Sequence, residues 1–274
     1  MLFAPHAPAA QKSKIVQIVF ETFNVPIFLP IRSDVAALYP NKEGMVASFG
    51  HDGVLISQVQ RGLSIPDSCV FLPGGGQQIS EKLAASLSAG SDAGDKIKPP
   101  LVEEIKTKLC FASPIGIELF RKVWSAEDGR PFSVVDDSGR TIVVDTQRFS
   151  FLSHFFQRVN SSFLLRFEAV ESVYFENNSI LSAVAQCSEN GRPQKLFVVG
   201  KSSLFPGLAD RLRFELRLNG IPMAVEAPHN RGTLVFSNAA AIASRNLSSF
   251  ITKEEYDEHG PNVIAQKADN FVFA

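Results

Sequence analysis

Residues 44–58 read GMVASFGHDGVLISQ. Two runs rich in apolar and β-branched residues flank Gly50-His51-Asp52-Gly53, and an Asp-Gly pair supplies the positive φ that a tight hairpin turn needs. The stretch therefore reads as a β-hairpin, with glycines where a backbone could approach a phosphate. Its chemistry does not match its shape. The carboxylate of Asp52 sits at the tip, and the first strand carries only Ser48, so the stretch has a phosphate-cradling outline without an acid beside the phosphates.

Working outward, the rest of the chain alternates between helix and strand patterns. Upstream, QKSKIVQIVFETF (11–23) places Ile15, Val19 and Phe23 on one helix face. The run PIFLPI (26–31) reads as a strand, and SDVAALY as a short helix closed by Pro40. Downstream, FLPGGGQQISEKLAASLSA (71–89) is a glycine-rich entry into a helix, and 89–100 has loop composition. A second helix aligns Leu101, Ile105 and Leu109. FSVVDDSGRTIVVD (132–145) is a hairpin around Asp137-Ser138-Gly139. Residues 146–190 look mostly helical. KLFVVG (195–200) is a buried-strand run ending in glycine, and GLADRLRFELRL aligns Leu208, Leu212 and Leu216 on a helix. GTLVFSNAAAIAS (232–244) reads as strand then helix. Thr252 with Glu255 forms a capping box for a last helix, stopped by Gly260-Pro261. This alternation predicts a mixed α/β fold.

Composition narrows the function classes. The chain has 274 residues, 45% hydrophobic and 20% charged, enough for a sizeable core. Net charge is −1, so no basic field exists to hold nucleic acid. There are 23 Phe against 3 Tyr and 1 Trp, which points to buried aromatics more than a stacking surface. Cys69, Cys110 and Cys187 fit neither a zinc pattern nor a disulfide framework and read as reduced thiols. The opening MLFAPHAPAAQKSK lacks the build of a secretory signal, and no apolar run reaches the ~18 residues of a membrane span.

Other candidate motifs reduce to structural readings. LPGGGQQ (72–78) lacks the full G-x-x-x-x-G-K-S/T phosphate-loop pattern and reads as a turn into a helix. GKSS (200–203) mimics the end of such a loop without its partner glycine. His51 and Asp52 are expected to face solvent, His154 in FLSHFFQ reads as a helix-surface or core histidine, and His6, His229 and His259 have no spaced metal partner. No metal site and no catalytic residue is assigned.

Several stretches in order resemble one family. VFETFNVP (19–26), EEIKTKLCF (103–111), GRTIVVDTQRF (139–149), FPGLADRL (205–212) and ITKEEYDEHGPNVI (251–264) are similar to actin and the actin-related proteins. The resemblance runs from residue 2 to about 265. It implies an actin-like, ribonuclease H-like α/β fold with the second half complete and the first lobe incomplete. The resemblance implies that the chain starts roughly 100 residues into the family's usual length, without the first phosphate hairpin, most strands of the first sheet and the outer small lobe. The implied division puts a remnant of the first lobe at 1–40 and 235–274, the inner lobe of the second half at 41–75 and 168–234, and its outer lobe at 76–167.

In the family, two hairpins clamp the phosphates of ATP or ADP and its magnesium. The second hairpin would read D-S-G-D-G. Here Ser48 stands for the metal-side Asp, Phe49 for a small residue, and His51 looks inserted ahead of Asp52 and Gly53. The water-orienting Gln falls at Ser33 and the catalytic-side His at Ile56. The Gly-Gly beside adenine falls at Gly200-Lys201, the ribose-side Lys-Glu pair at Lys106 and Thr107, and the purine-side Lys at Gly232. Gly76, Phe205 and Pro206 match. The remnant cleft is thus Gly50, Asp52, Gly53, Gly76, Lys106, Gly200 and Phe205.

The resemblance, with these losses, implies a pseudo-ATPase: a structural or scaffolding protein expecting no cofactor. Protein partners are expected, such as actin, actin-related proteins or a larger complex, in the cytoplasm and cytoskeleton. The alternative is an ATP-binding nucleotide switch or a nuclear chromatin-remodelling subunit. No direct nucleic-acid binding and no membrane insertion are expected. An incomplete first lobe would expose apolar surface unless its ends repack or another polypeptide covers them. A segment encoded upstream would restore the first hairpin but not the residues lost at Ser33, Ser48, Ile56, Lys201 and Gly232.

Overall fold

The structure is a computed structural model that describes residues 1–65, 68–89, 97–116, 119–122, 131–152, 156, 179–188, 194–246 and 249–268. Its elements begin with β1 (Leu2–Phe3), α1 (Ala9–Gln17), β2 (Ile27–Phe28), β3 (Ile31–Arg32) and α2 (Ser33–Leu38). Strands β4 (Gly44–Phe49), β5 (Gly53–Gln60), β6 (Leu63–Ser64) and β7 (Val70–Pro73) follow, then α3 (Gly76–Ala89) and α4 (Pro99–Leu109). Next come β8 (Phe132–Val135), β9 (Thr141–Val144), α5 (Gln147–Ser150), α6 (Ile180–Cys187), β10 (Lys195–Val199), α7 (Leu208–Leu218) and β11 (Ala224–Glu226). The chain closes with α8 (Leu234–Arg245), β12 (Ile251–Thr252), α9 (Lys253–His259) and α10 (Val263–Ala268).

The hairpin read from residues 44–58 is the centre of a six-stranded sheet ordered β11-β10-β4-β5-β6, with β7 also paired to β5. Strands β4 and β5 are antiparallel, with Phe49 opposite Val54 and Ser48 opposite Leu55. Strand β10 joins β4 in parallel, with Val199 opposite Ser48. Its unbroken apolar run has a simple cause, since both of its faces are covered. Leu196 and Val198 enter the main core, whereas Phe197 and Val199 enter a second core on the opposite face. The main core takes Ile79, Leu83 and Leu87 from α3, Val102 and Ile105 from α4, and Leu208, Leu212 and Leu216 from α7. The second core takes Val35, Ala36, Ala37 and Leu38 from α2 and Ile242 from α8. Helices therefore cover both faces of the sheet, and the α/β class is as expected.

The two ends of the chain pack on each other. A third core joins Phe3, Val16, Phe20 and Phe28 to Ile251, Tyr256, Val263 and Ile264. PIFLPI is not one strand. β2 pairs antiparallel with β12, while β3 pairs in parallel with β1. Between them stands Pro30, which has no N–H to give a ladder. The stretch divides its side chains as well: Phe28 enters the third core, and Leu29 and Ile31 the second.

Two further expectations change. The helix expected over 11–23 is α-helical only to Gln17, and Ile18–Thr22 form a π-helical turn, with the Phe23 N–H donating to the Ile18 carbonyl. One extra residue per turn rotates the face, so Val16 and Phe20 are buried while Phe23 is 70% exposed. Residues 232–244 contain no strand. The segment goes directly into α8, where the Asn238 side-chain amide donates to the Ala36 and Tyr39 carbonyls and fixes the helix on α2. The hairpin at 132–145 and the capping box of Thr252 and Glu255 are as read, and the helical turn resumes just beyond Gly260. Of 146–190, α5 and α6 are helical, and the remainder lies largely outside the described residues.

Candidate functional site

Three turns converge at one end of the central sheet: the β4–β5 turn, the glycines ahead of α3, and the 3-10 turn Lys201–Leu204 after β10. The Gly50 carbonyl accepts the Gly76 N–H at 3.0 Å and the Ser202 hydroxyl at 2.9 Å. The His51 carbonyl accepts the Gln77 N–H at 2.9 Å, and the Asp52 carbonyl the Gly74 N–H at 3.0 Å. The hairpin tip is thus bonded to the backbone donors that open α3. Gly75 permits this approach, because a Cβ there would lie 2.5 Å from both the Gly50 and His51 carbonyl oxygens. Gly200 has φ +95°, and a Cβ on it would sit 2.3 Å from the Phe49 carbonyl oxygen.

These turns border a cleft of about 660 Å³. Gly50, Gly76, Lys106, Gly200 and Phe205 line it. Asp52 is exposed at the turn tip and is not among the lining residues; Gly53 faces β7, where a Cβ would meet the Leu72 carbonyl. Of the altered positions, Ser48, Thr107, Lys201 and Gly232 line the cleft. Ser33 and Ile56 do not, and Ile56 is fully buried in the main core. His51 is exposed as expected but also borders the cleft.

The cleft's electrostatics centre on α4. The Lys106 ammonium, nearly buried, donates to the Glu103 carboxylate and the Ser80 hydroxyl at 2.6 Å each, and to the Gly76 carbonyl at 3.2 Å. Burial pushes the Glu103 carboxyl up, but the Lys106 and Ser80 hydrogen bonds, with the nearby charges of Lys106 and His51, outweigh it and hold the group below its usual range. Glu103 is the one carboxylate among the lining residues. Glu103, Ser202 and Leu204 were not legible as cleft residues. The available signals were Glu103 three residues before Lys106 on one helix face, and Ser202 two after the glycine of the β10 turn.

A family model described as Actin matches residues 1–269. The chain belongs to the actin family. It is 27% identical to Actin-like protein 9 of Rattus norvegicus over 277 residues, which cover 96% of this chain and 64% of that relative. The actin-family chain thus spans less than two thirds of the length of the curated relative it matches.

Among the described residues outside the cleft, the three cysteine thiols are unreactive. Burial pushes the thiols of Cys69 and Cys110 up to about 11 and that of Cys187 to about 12, so none is a ready nucleophile. Among the described residues, no group of three or more His, Cys, Asp or Glu could hold a metal ion, and no helix is long and apolar enough to cross a membrane.

Proposed function

We propose that this actin-family chain is a non-catalytic structural or scaffolding subunit of a protein assembly, in the first instance a cytoskeletal one. Its cleft, in this reading, has left magnesium-nucleotide chemistry. The observation that carries the reading is the fate of the carboxylates: Ser48 stands where the resemblance calls for the metal-side acid, and Glu103 is engaged by Lys106 at 2.6 Å.

A magnesium triphosphate fits these residues poorly. Magnesium is commonly held through carboxylates and water, and the floor at Ser48-Phe49-Gly50 offers none. The amides of Gly76 and Gln77, which could cradle a phosphate at a helix start, are bonded to the hairpin carbonyls. Lys201 occupies the purine side. Losing one outer partner of a metal commonly costs ~10–100-fold in affinity or activity, and several are changed together. Ser33 lies outside the cleft lining and Ile56 is a buried alkyl side chain, so neither is placed to order an attacking water, the positioning task of phosphoryl transfer.

The size of the cleft favours a second reading. About 660 Å³ falls within the ~300–1,000 Å³ of ordinary ligand pockets, enough for a nucleotide held without turnover, as in a nucleotide switch or a chromatin-remodelling subunit. Phosphate release from magnesium-ATP by the purified chain tests the first reading. No release above the buffer rate is expected. Steady release that Lys106→Met abolishes contradicts it.

A further inference from the structure

The cleft carries a free charge beside an apolar wall. Lys201, solvent-exposed at the border of the cleft, opens the 3-10 turn Lys201–Leu204, and among the described residues its ammonium has no hydrogen bond or ion pair. The contrast with Lys106 is sharp, since that lysine is spent on Glu103, Ser80 and Gly76. Glu103, the lining carboxylate, is neutralised by Lys106, so Lys201 leaves the cleft with an uncompensated positive charge. Beside it the same turn presents Leu204, 45% exposed, and Phe205. Phe49 closes the floor, and the missing side chain at Gly232 lets Leu204 lie over it, where a Cβ would come within 2.9 Å of Leu204 Cδ1.

We infer that the cleft binds a small amphipathic organic monoanion, an aryl or acyl carboxylate or sulfonate, with its charged end on Lys201 and its apolar body against Leu204 and Phe205. The orientation opposes that of a nucleotide, because the anion sits on the side where the resemblance puts the purine. Concave, mainly apolar sites with a few placed polar groups are the usual form of small-molecule pockets. The Ser48 hydroxyl, also at the cleft, is a second polar group available to the ligand. A doubly or triply charged ligand is disfavoured, because Lys106 is already satisfied and Lys201 alone is left to balance its charge.

The inference rests on the cleft having left magnesium-nucleotide binding. Its test is an equilibrium titration of the full chain with 1-anilinonaphthalene-8-sulfonate, alongside its uncharged parent N-phenyl-1-naphthylamine. One saturable sulfonate site is expected. Lys201→Glu should weaken it by about tenfold or more, the factor of one charge contact, and change the uncharged probe by less than about twofold. Lys201→Gln should fall between, and guards against a folding defect in the charge reversal. Lys108→Glu, on an exposed lysine paired to Glu104 outside the cleft, should leave both probes unchanged. Equal weakening of both probes, no effect of Lys201→Glu, or equal weakening by Lys108→Glu overturns the assignment. Magnesium-ATP added as competitor separates the two levels of the argument. Displacement at micromolar ATP overturns the reading of the cleft itself. Sulfonate binding indifferent to Lys201, with no ATP competition, overturns only the ligand class.

Discussion

The Ser202 hydroxyl donates to the Gly50 carbonyl at 2.9 Å, joining two turns 152 residues apart. The same carbonyl accepts the Gly76 N–H. The hairpin tip is therefore held from two sides by its own chain, and its outline is preserved by internal bonds. Ser202→Ala removes one of these bonds and leaves the other. A loss of about 0.5–1.5 kcal/mol is expected, read as a lower urea midpoint with an unchanged slope.

Gly200 and Gly139 form a matched pair. Both have positive φ, +95° and +81°, but a Cβ on Gly139 meets nothing within 4 Å, while one on Gly200 meets the Phe49 carbonyl oxygen at 2.3 Å. Gly139→Ala should cost only the backbone strain, about 1–2 kcal/mol. Gly200→Ala must also push β10 and β4 apart, so its loss should exceed that of Gly139→Ala. Chemical denaturation of the two variants ranks them directly.

Much of this architecture was legible because local signals agreed with tertiary context. LFVV (196–199) is an unbroken apolar run because both faces of β10 are buried there, and Leu208, Leu212 and Leu216 are spaced as a helix face and are all fully buried. The π-helical turn at Ile18–Thr22 was hidden, since nothing in the residue types announces one extra residue per turn. The strand expected at Thr233 gave way to α8, which the Asn238 amide ties to the Ala36 and Tyr39 carbonyls, a contact that depends on tertiary context. In the cleft, the glycines stood out by pattern. The Glu103–Lys106 pair, three apart on one helix, lay within reach of pattern, but the bonds of Lys106 to Ser80 and Gly76 and of Ser202 to Gly50 depend on which segments meet, and pattern does not encode that.

Asp34 gives the chain a distinctive pH response. It is buried, accepts the Val35 N–H and the Ser64 hydroxyl, and lies 3.8 Å from Arg32 Nε. Burial pushes its carboxyl above the usual range, against the pull of Ser64 and Arg32. The folded state therefore binds this proton more tightly than the unfolded chain. The resulting stability is fully present below the unfolded value and is lost as pH rises through the folded one. Asp34→Asn cannot titrate, so wild type should lose stability relative to the variant as pH rises above the ordinary carboxylate range. Urea midpoints of both proteins across that rise check the sign, and an opposite slope refutes it.

Arg211 on α7 fastens the loop after α4. It pairs with Glu215, donates to the Ser113 hydroxyl and carbonyl and to the Ile115 carbonyl, and lies over the Phe156 ring. Both members of the pair are buried. Arg211→Ala strands a buried carboxylate and should cost about 3–5 kcal/mol. Replacing the pair together, Arg211→Met with Glu215→Leu, should cost less than the single change, because no charge is left unpaired. A double-mutant cycle in denaturant separates the two cases.

The central claim is that the cleft no longer grips a magnesium triphosphate, and thermal melting of the purified chain with magnesium-ATP tests it most directly. A ligand at about 100 times its dissociation constant adds ~2.7 kcal/mol, and ~1 kcal/mol moves the midpoint of a chain this size by about 2–4 °C. Millimolar magnesium-ATP is expected to leave the midpoint where the buffer leaves it. A rise of several degrees at sub-millimolar ATP, dependent on magnesium, would contradict the account.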